Sequence, residues 1–142
     1  MVAECHDRLF AVVVGGAQSW VVRHDRPMSI QFLSLTDLPK SNFSRELVGD
    51  DHGGVPASVI FVEAAPGRGP SLHKHPYAEL FFVLEGEGTF SDGTDSRVVG
   101  AGEVVIVPPE QPHAFVSSGE GPLRQIDVHL SGRFVTDWLE GS

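Results

Sequence analysis

Apolar residues occur in short runs separated by glycine- and proline-rich turns. From Ala57 onward the runs follow closely: Val59-Ile60-Phe61-Val62, Leu80–Leu84, Thr89-Phe90, Arg97-Val98-Val99, Val104–Val107, His113–Val116 and Ile126–Leu130. Each is too short for an ordinary helix, and β-branched and aromatic residues dominate, so each reads as a strand. Between them, Asp92-Gly93 signals a tight hairpin, and Pro108-Pro109 stops a strand because proline cannot donate to a sheet ladder. About eight or more short strands in one domain predict an all-β architecture, either closed or of two sheets. Residues 36–56 are polar and turn-rich around a short strand or turn at 43–48. Before them, Leu9–Val14 and Trp20–Val22 flank Gly15-Gly16, which suits either a hairpin added to a sheet or a peripheral extension. We therefore expect an N-terminal extension over residues 1–27 and a single domain over 28–142. Phe134, Val135, Trp138 and Leu139 recur at helical spacing behind Ser131-Gly132, predicting a short C-terminal helix.

Composition narrows the functional classes. The 142 residues include 16 glycines and 10 prolines, and the net charge is -9 with histidines neutral. An acidic surface argues against nucleic-acid or anionic-membrane partners, which need basic patches. No apolar run approaches the roughly 20 residues of a membrane-spanning helix. The single cysteine, Cys5, leaves no internal disulfide framework. The expectation is a cytoplasmic protein whose partner is a small molecule.

Candidate chemistry is concentrated in His73-Lys74-His75-Pro76-Tyr77-Ala78-Glu79 and at His113. In a strand, residues i and i+2 share a face, so His73 and His75 point one way and Lys74 the other. A lone His-x-His pair is more often solvated than functional. With Glu79 and His113 it becomes a set of three imidazoles and one carboxylate, suited to a divalent ion of Fe, Mn, Zn or Ni. Such a centre carries a net charge near +1 and favours anionic groups. In an octahedral arrangement it leaves two adjacent positions open. A closed structural zinc site would normally be rich in cysteine instead. Cys5-His6, His24 and His52 have no partner at ligand spacing and read as surface residues.

The frame around these residues resembles the cupin superfamily. Gly67, five residues, His73-Lys74-His75, three residues, Glu79, six residues and Gly86 match its first signature. Gly102, five residues, Pro108 and then His113 match the second, with fifteen residues between the two signatures. Two positions depart: Glu110 stands where glycine is usual, and Ser117 where asparagine is usual, its hydroxyl still able to donate. The resemblance implies a double-stranded β-helix, a small jelly-roll barrel, with His73, His75, Glu79 and His113 as metal ligands. Strand parity then brings Phe81 and Val83, and Phe115 and Ser117, to the pocket beside the metal. On the last strand, apolar alternation favours Ile126 and Val128 toward the core, with pocket roles for Asp127 and His129 as the alternative. Tyr77, Arg68 and Arg124 are further candidates for substrate contact. The resemblance also implies a homodimer. Two functions follow as expectations. One is a metal-dependent enzyme of dioxygenase or isomerase type acting on a small organic substrate, anionic ones included. The other is a non-catalytic module that binds a small metabolite. No individual catalytic residue is named by the sequence.

Overall fold

The computed structural model describes residues 8–14, 17–23 and 29–139. The chain divides into two compact units, residues 1–32 and 33–142. In the first, β1 (Arg8–Val14) and β2 (Ala17–Arg23) pair antiparallel from Arg8 opposite Arg23 to Val14 opposite Ala17, as a two-stranded sheet of their own. The Gly15-Gly16 turn, and Cys5, His6 and His24, lie outside the described residues.

The second unit is built from antiparallel strands. They are β3 (Lys40–Ser41), β4 (Ser44–Leu47), β5 (Ser58–Ala64), β6 (His73–Lys74), β7 (Glu79–Glu85), β8 (Glu87–Ser91), β9 (Ser96–Gly100), β10 (Val104–Val107), β11 (Ala114–Ser117), β12 (Leu123–His129) and β13 (Asp137–Trp138). One sheet has the order β10-β7-β12-β5-β4-β3, a second β11-β8-β9, and a third pairs β13 with β6. Helix is confined, among the described residues, to two short 3-10 turns at Leu35–Asp37 and Gly49–His52. The first two sheets meet through one apolar core: Val62, Ala64, Phe81, Val83, Val107 and Leu123 from the larger, and Phe90, Val99 and Phe115 from the smaller. Within it, Phe81 meets Phe90 and Phe115 edge-on, at ring-centre distances of 5.2 and 5.9 Å. Such aromatic pairs add about 0.5–1.5 kcal/mol each beyond the area they bury.

Turns hold the strands in register. Gly86 has φ 79°, and a Cβ there would run into the main chain of Pro122. Only glycine combines that torsion with that approach. Glu110 also has a positive φ, of 65°. The resemblance puts glycine there for this reason, since the left-handed region costs a side-chain-bearing residue about 1–2 kcal/mol. Two contacts compensate: the Glu110 N–H donates to the His75 carbonyl at 2.7 Å, and its carboxylate lies 2.9 Å from the Lys74 ammonium.

Two expectations are corrected. The C-terminal helix does not form: residues 131–139 run as an extended strap ending in β13, where Trp138 pairs with His73 and Asp137 with Lys74. The unpaired edge at β6 takes up the strap's main-chain groups, and that outweighs helical spacing over so few residues. The facing of β12 is also the reverse of its apolar alternation. Leu123, Gln125, Asp127 and His129 are buried, while Ile126 and Val128 are half-buried on the outer face. Cross-strand register dictates this, because Gln125, Asp127 and His129 stand opposite the inward Val83, Phe81 and Glu79 of β7. Leu123→Ala is accordingly expected to cost about 2–5 kcal/mol in urea unfolding. Ile126→Ala should cost under about 1 kcal/mol if the outer face is only lightly packed. Equal costs would contradict this facing.

Candidate metal centre

The four residues singled out by spacing converge. One donor atom from each of His73, His75, Glu79 and His113 lies within 4.8 Å of every other, and all four side chains are buried. Main-chain pairing brings them together. His73 and His113 form an isolated antiparallel bridge, each N–H donating to the other's carbonyl, at 3.0 and 2.8 Å. Glu79 opens β7, and His75 is held just beyond β6 by the hydrogen bond from Glu110. Lys74 turns outward to Glu110 and Asp137, as strand parity requires.

Each ligand imidazole is locked in one tautomer by a main-chain carbonyl. Nδ1 of His73 donates to Ser71 at 2.7 Å, that of His75 to Val135 at 2.7 Å, and that of His113 to Gln111 at 2.9 Å. A carbonyl can only accept, so each Nδ1 carries the hydrogen and each Nε2 is left with a lone pair. Such outer hydrogen bonds are the usual support of metal-binding histidines. Two lone-pair nitrogens face the same carboxylate oxygen: Oε2 of Glu79 lies 3.1 Å from His75 Nε2 and 2.8 Å from His113 Nε2. The buried His75 nitrogen makes no aligned hydrogen bond despite that distance. Electron-rich atoms so close need a proton or a cation between them. Neighbouring donors on an octahedral ion with bonds of about 2.1 Å would be about 3 Å apart. The residues therefore fit a divalent ion.

Protonation follows from the same contacts. Burial lowers the His73 pKa to about 4, against a weaker opposing contribution from its bond to Ser71, so this ring is neutral and available to a metal near neutral pH. For His75 burial also disfavours the charged form, but contact with Glu79 and the bond to Val135 prevail and raise its pKa. Burial likewise opposes ionisation of Glu79; without an ion, a proton between the carboxylate and the imidazoles of His113, His129 and His75 overcomes it and lowers the Glu79 pKa, the role a bound cation would take over.

Above the centre is a cavity of about 530 Å³, within the usual range for small-molecule sites. Of the residues singled out for a pocket, Phe81, Phe115 and His129 line it. Val83 and Ser117 do not: both are buried one layer deeper in the core, and the Ser117 hydroxyl has no partner there, so it donates to nothing among the described residues. Tyr77 is also outside the lining. Its ring stacks on His75 at 5.1 Å and its hydroxyl lies 3.2 Å from His129 Nδ1. Arg68 and Arg124 face a separate groove with Lys40 and Arg45. Sequence reasoning missed Phe43 in the β3–β4 turn and Phe134 and Trp138 in the strap, which complete the aromatic wall. No local signal marks Phe43, because only the folded sheet brings its turn over the centre.

Comparison with known proteins agrees with this architecture. The sequence model described as the cupin domain matches residues 60–129. An uncharacterized protein of Methanocaldococcus jannaschii is 30% identical over 82 residues, covering 56% of this chain and 66% of that protein, just under two thirds of its length. A Klebsiella pneumoniae protein with a double-stranded β-helix domain superposes with a TM-score of 0.63 at 21% identity, over 79% of this chain and 99% of that one. The polyketide cyclase RemF of Streptomyces resistomycificus superposes with a TM-score of 0.65 at 21% identity, over 80% and 88%. With both signatures placed around a jelly-roll core and its buried His-Glu cluster, residues 60–129 form a cupin domain.

Proposed function

We propose that this chain is a metal-dependent enzyme acting on a small organic molecule held between the aromatic walls of the cavity. The observation that carries the reading is the convergence of three tautomer-locked imidazoles and Glu79 beside that cavity. When bound, an ion such as Fe, Mn, Zn or Ni would supply Lewis-acid polarisation for an isomerase-type reaction or, as iron, a meeting point for substrate and dioxygen. Phe43, Phe81, Phe115, Phe134 and Trp138 would grip an apolar body and keep water from it. No lysine or arginine lines the cavity among the described residues, whereas Glu46 and Asp127 do. A substrate's negative charge can thus be compensated only at the centre itself, which favours one anionic group and disfavours a second at the far end.

Asp127 supports a specific interaction. Its Oδ1 accepts from Gln125 Nε2 at 2.8 Å. Burial, with the Glu79 charge adding to it, raises its pKa well above the usual carboxylate range. A neutral carboxyl can donate a hydrogen bond to a substrate oxygen, which a carboxylate cannot.

Three outcomes test these proposals. Purified without a metal-binding tag, the protein should carry close to one divalent ion per chain by elemental analysis, and His73→Ala and His113→Ala far less. Unchanged content in both variants would falsify the site. With the ion in place, turnover of a small organic substrate should disappear on chelation; a ligand bound tightly but always recovered unchanged, in air and without it, would mark a binding module instead. The second outcome concerns Asp127. Its raised folded pKa means that, above its unfolded value near 3.9, the unfolded chain releases a proton the folded chain retains. Stability is therefore lost as pH rises from that value through the folded pKa. Metal-free Asp127→Asn should melt higher than wild type at about pH 8, with the difference closing toward about pH 4. A pH-independent difference would contradict the raised pKa.

The third outcome concerns assembly. Phe82 and Leu84 on β7 and Val104 and Ile106 on β10 are exposed on one face, with Val104 directly opposite Phe82. We propose that the chain forms a homodimer through this face. Light scattering should give the mass of a dimer at micromolar concentration, and Ile106→Glu should shift it to that of a monomer. A monomeric wild type would rule the assembly out.

A further inference from the structure

Metal coordination leaves His129 unexplained. It is buried, it lines the cavity, and it stands directly across the sheet from Glu79. Yet it is not among the four residues whose donor atoms cluster. The ring is tightly held: Phe134 packs edge-on against it at 4.8 Å, and His75 does so from another side, also at 4.8 Å.

Its two nitrogens have different neighbours. Nδ1 lies 3.2 Å from the Tyr77 hydroxyl. That hydroxyl accepts the Val135 N–H at 3.0 Å and has its own hydrogen to give to Nδ1. A ring that accepts at Nδ1 carries its hydrogen on Nε2. Nε2 is 2.8 Å from Oε1 of Glu79, at hydrogen-bond distance though off the ideal direction of the ring N–H. It is buried and makes no hydrogen bond among the described residues. A buried donor is rarely left unpaired, and Oε1, already at that distance, is the acceptor that a small turn of the ring would bring into line. The two carboxylate oxygens are thereby divided: Oε2 faces His75 and His113, and Oε1 faces His129.

The geometry points to a carboxylate clamp, in which His129, oriented by Tyr77, holds Oε1 of Glu79 so that Oε2 alone is presented to the metal centre. His129 is then a positioning residue rather than a fifth ligand. Restricting Glu79 to one oxygen prevents the carboxylate from swinging to chelate the ion with both, and so preserves a coordination position for substrate. The inference rests on the metal-centre reading above.

The test uses the full chain, stripped of metal and titrated with Mn(II), free ion being followed by electron paramagnetic resonance. His129→Leu should weaken Mn(II) affinity by about 10- to 100-fold, the range for loss of an outer-shell partner, with circular dichroism and melting temperature showing a retained fold. In His129→Gln the amide N–H can stand in for Nε2–H, and affinity should stay within about threefold of wild type. Pulsed resonance on the wild-type complex should count three bound imidazoles. A fourth imidazole, wild-type affinity in a folded His129→Leu, or a tenfold or greater loss in His129→Gln would each overturn the clamp. Should the Leu variant fail to fold, the Gln variant and the imidazole count still decide it. Wild-type protein that takes up no metal overturns the metal-centre reading and the clamp together; Mn(II) binding that is indifferent to His129 overturns the clamp alone.

Discussion

A carboxylate removed from water must be compensated, and Glu79 is only 3% exposed. Much of the interior around it is arranged to meet that demand. Register between β7 and β12 puts His129 opposite it, the His73–His113 bridge fixes the far side of the cluster, and Glu110 and the strap hold His75. A buried charge without such partners would cost several kcal/mol and would give up its ionisation. Here imidazoles keep it ionised, and the same arrangement yields a pocket of donors for a cation. Electrostatic compensation and metal binding are two descriptions of one set of contacts.

The cavity above the centre divides its labour by direction. Aromatic rings from the β3–β4 turn, the core and the strap supply shape, while β12 contributes the polar wall through Asp127 and His129. Polar groups facing the interior of a small barrel are costly unless paired. Asp127 has Gln125, and His129 has Tyr77 at Nδ1 with Glu79 2.8 Å from Nε2. Along this strand polar groups, rather than apolar ones, face the cavity.

The chain of strands from Val59 onward and the four converging side chains were legible because both depend on short-range periodicity. Two-residue alternation set the facing of His73, His75, Glu79, Phe81, His113 and Phe115, and the structure agrees at each. The same rule misled on β12. Its outward residues, Ile126 and Val128, are the more apolar ones, and its inward residues Gln125, Asp127 and His129 are polar. Alternation reports hydrophobicity, not direction, and the two separate where function occupies the interior. The strap failed for another reason. Phe134, Val135 and Trp138 satisfy a helical period, but they are spaced by their separate contacts with His129, His75 and His73. Glu110 and Ser117 were visible as departures, and only coordinates reveal that one carries a left-handed torsion and the other an unpaired hydroxyl.

The strap has a consequence for biosynthesis. His75 receives its orienting carbonyl from Val135, a residue 60 positions later in the chain. While a ribosome is still making the intervening strands, that imidazole is free to take either tautomer, and His73 still lacks the Trp138 ring that packs against it at 5.0 Å. A nascent chain therefore presents its His-x-His pair long before the pair is pre-organised. The four side chains reach the arrangement described above only when the strap has paired with β6, so the order of synthesis separates making these residues from orienting them.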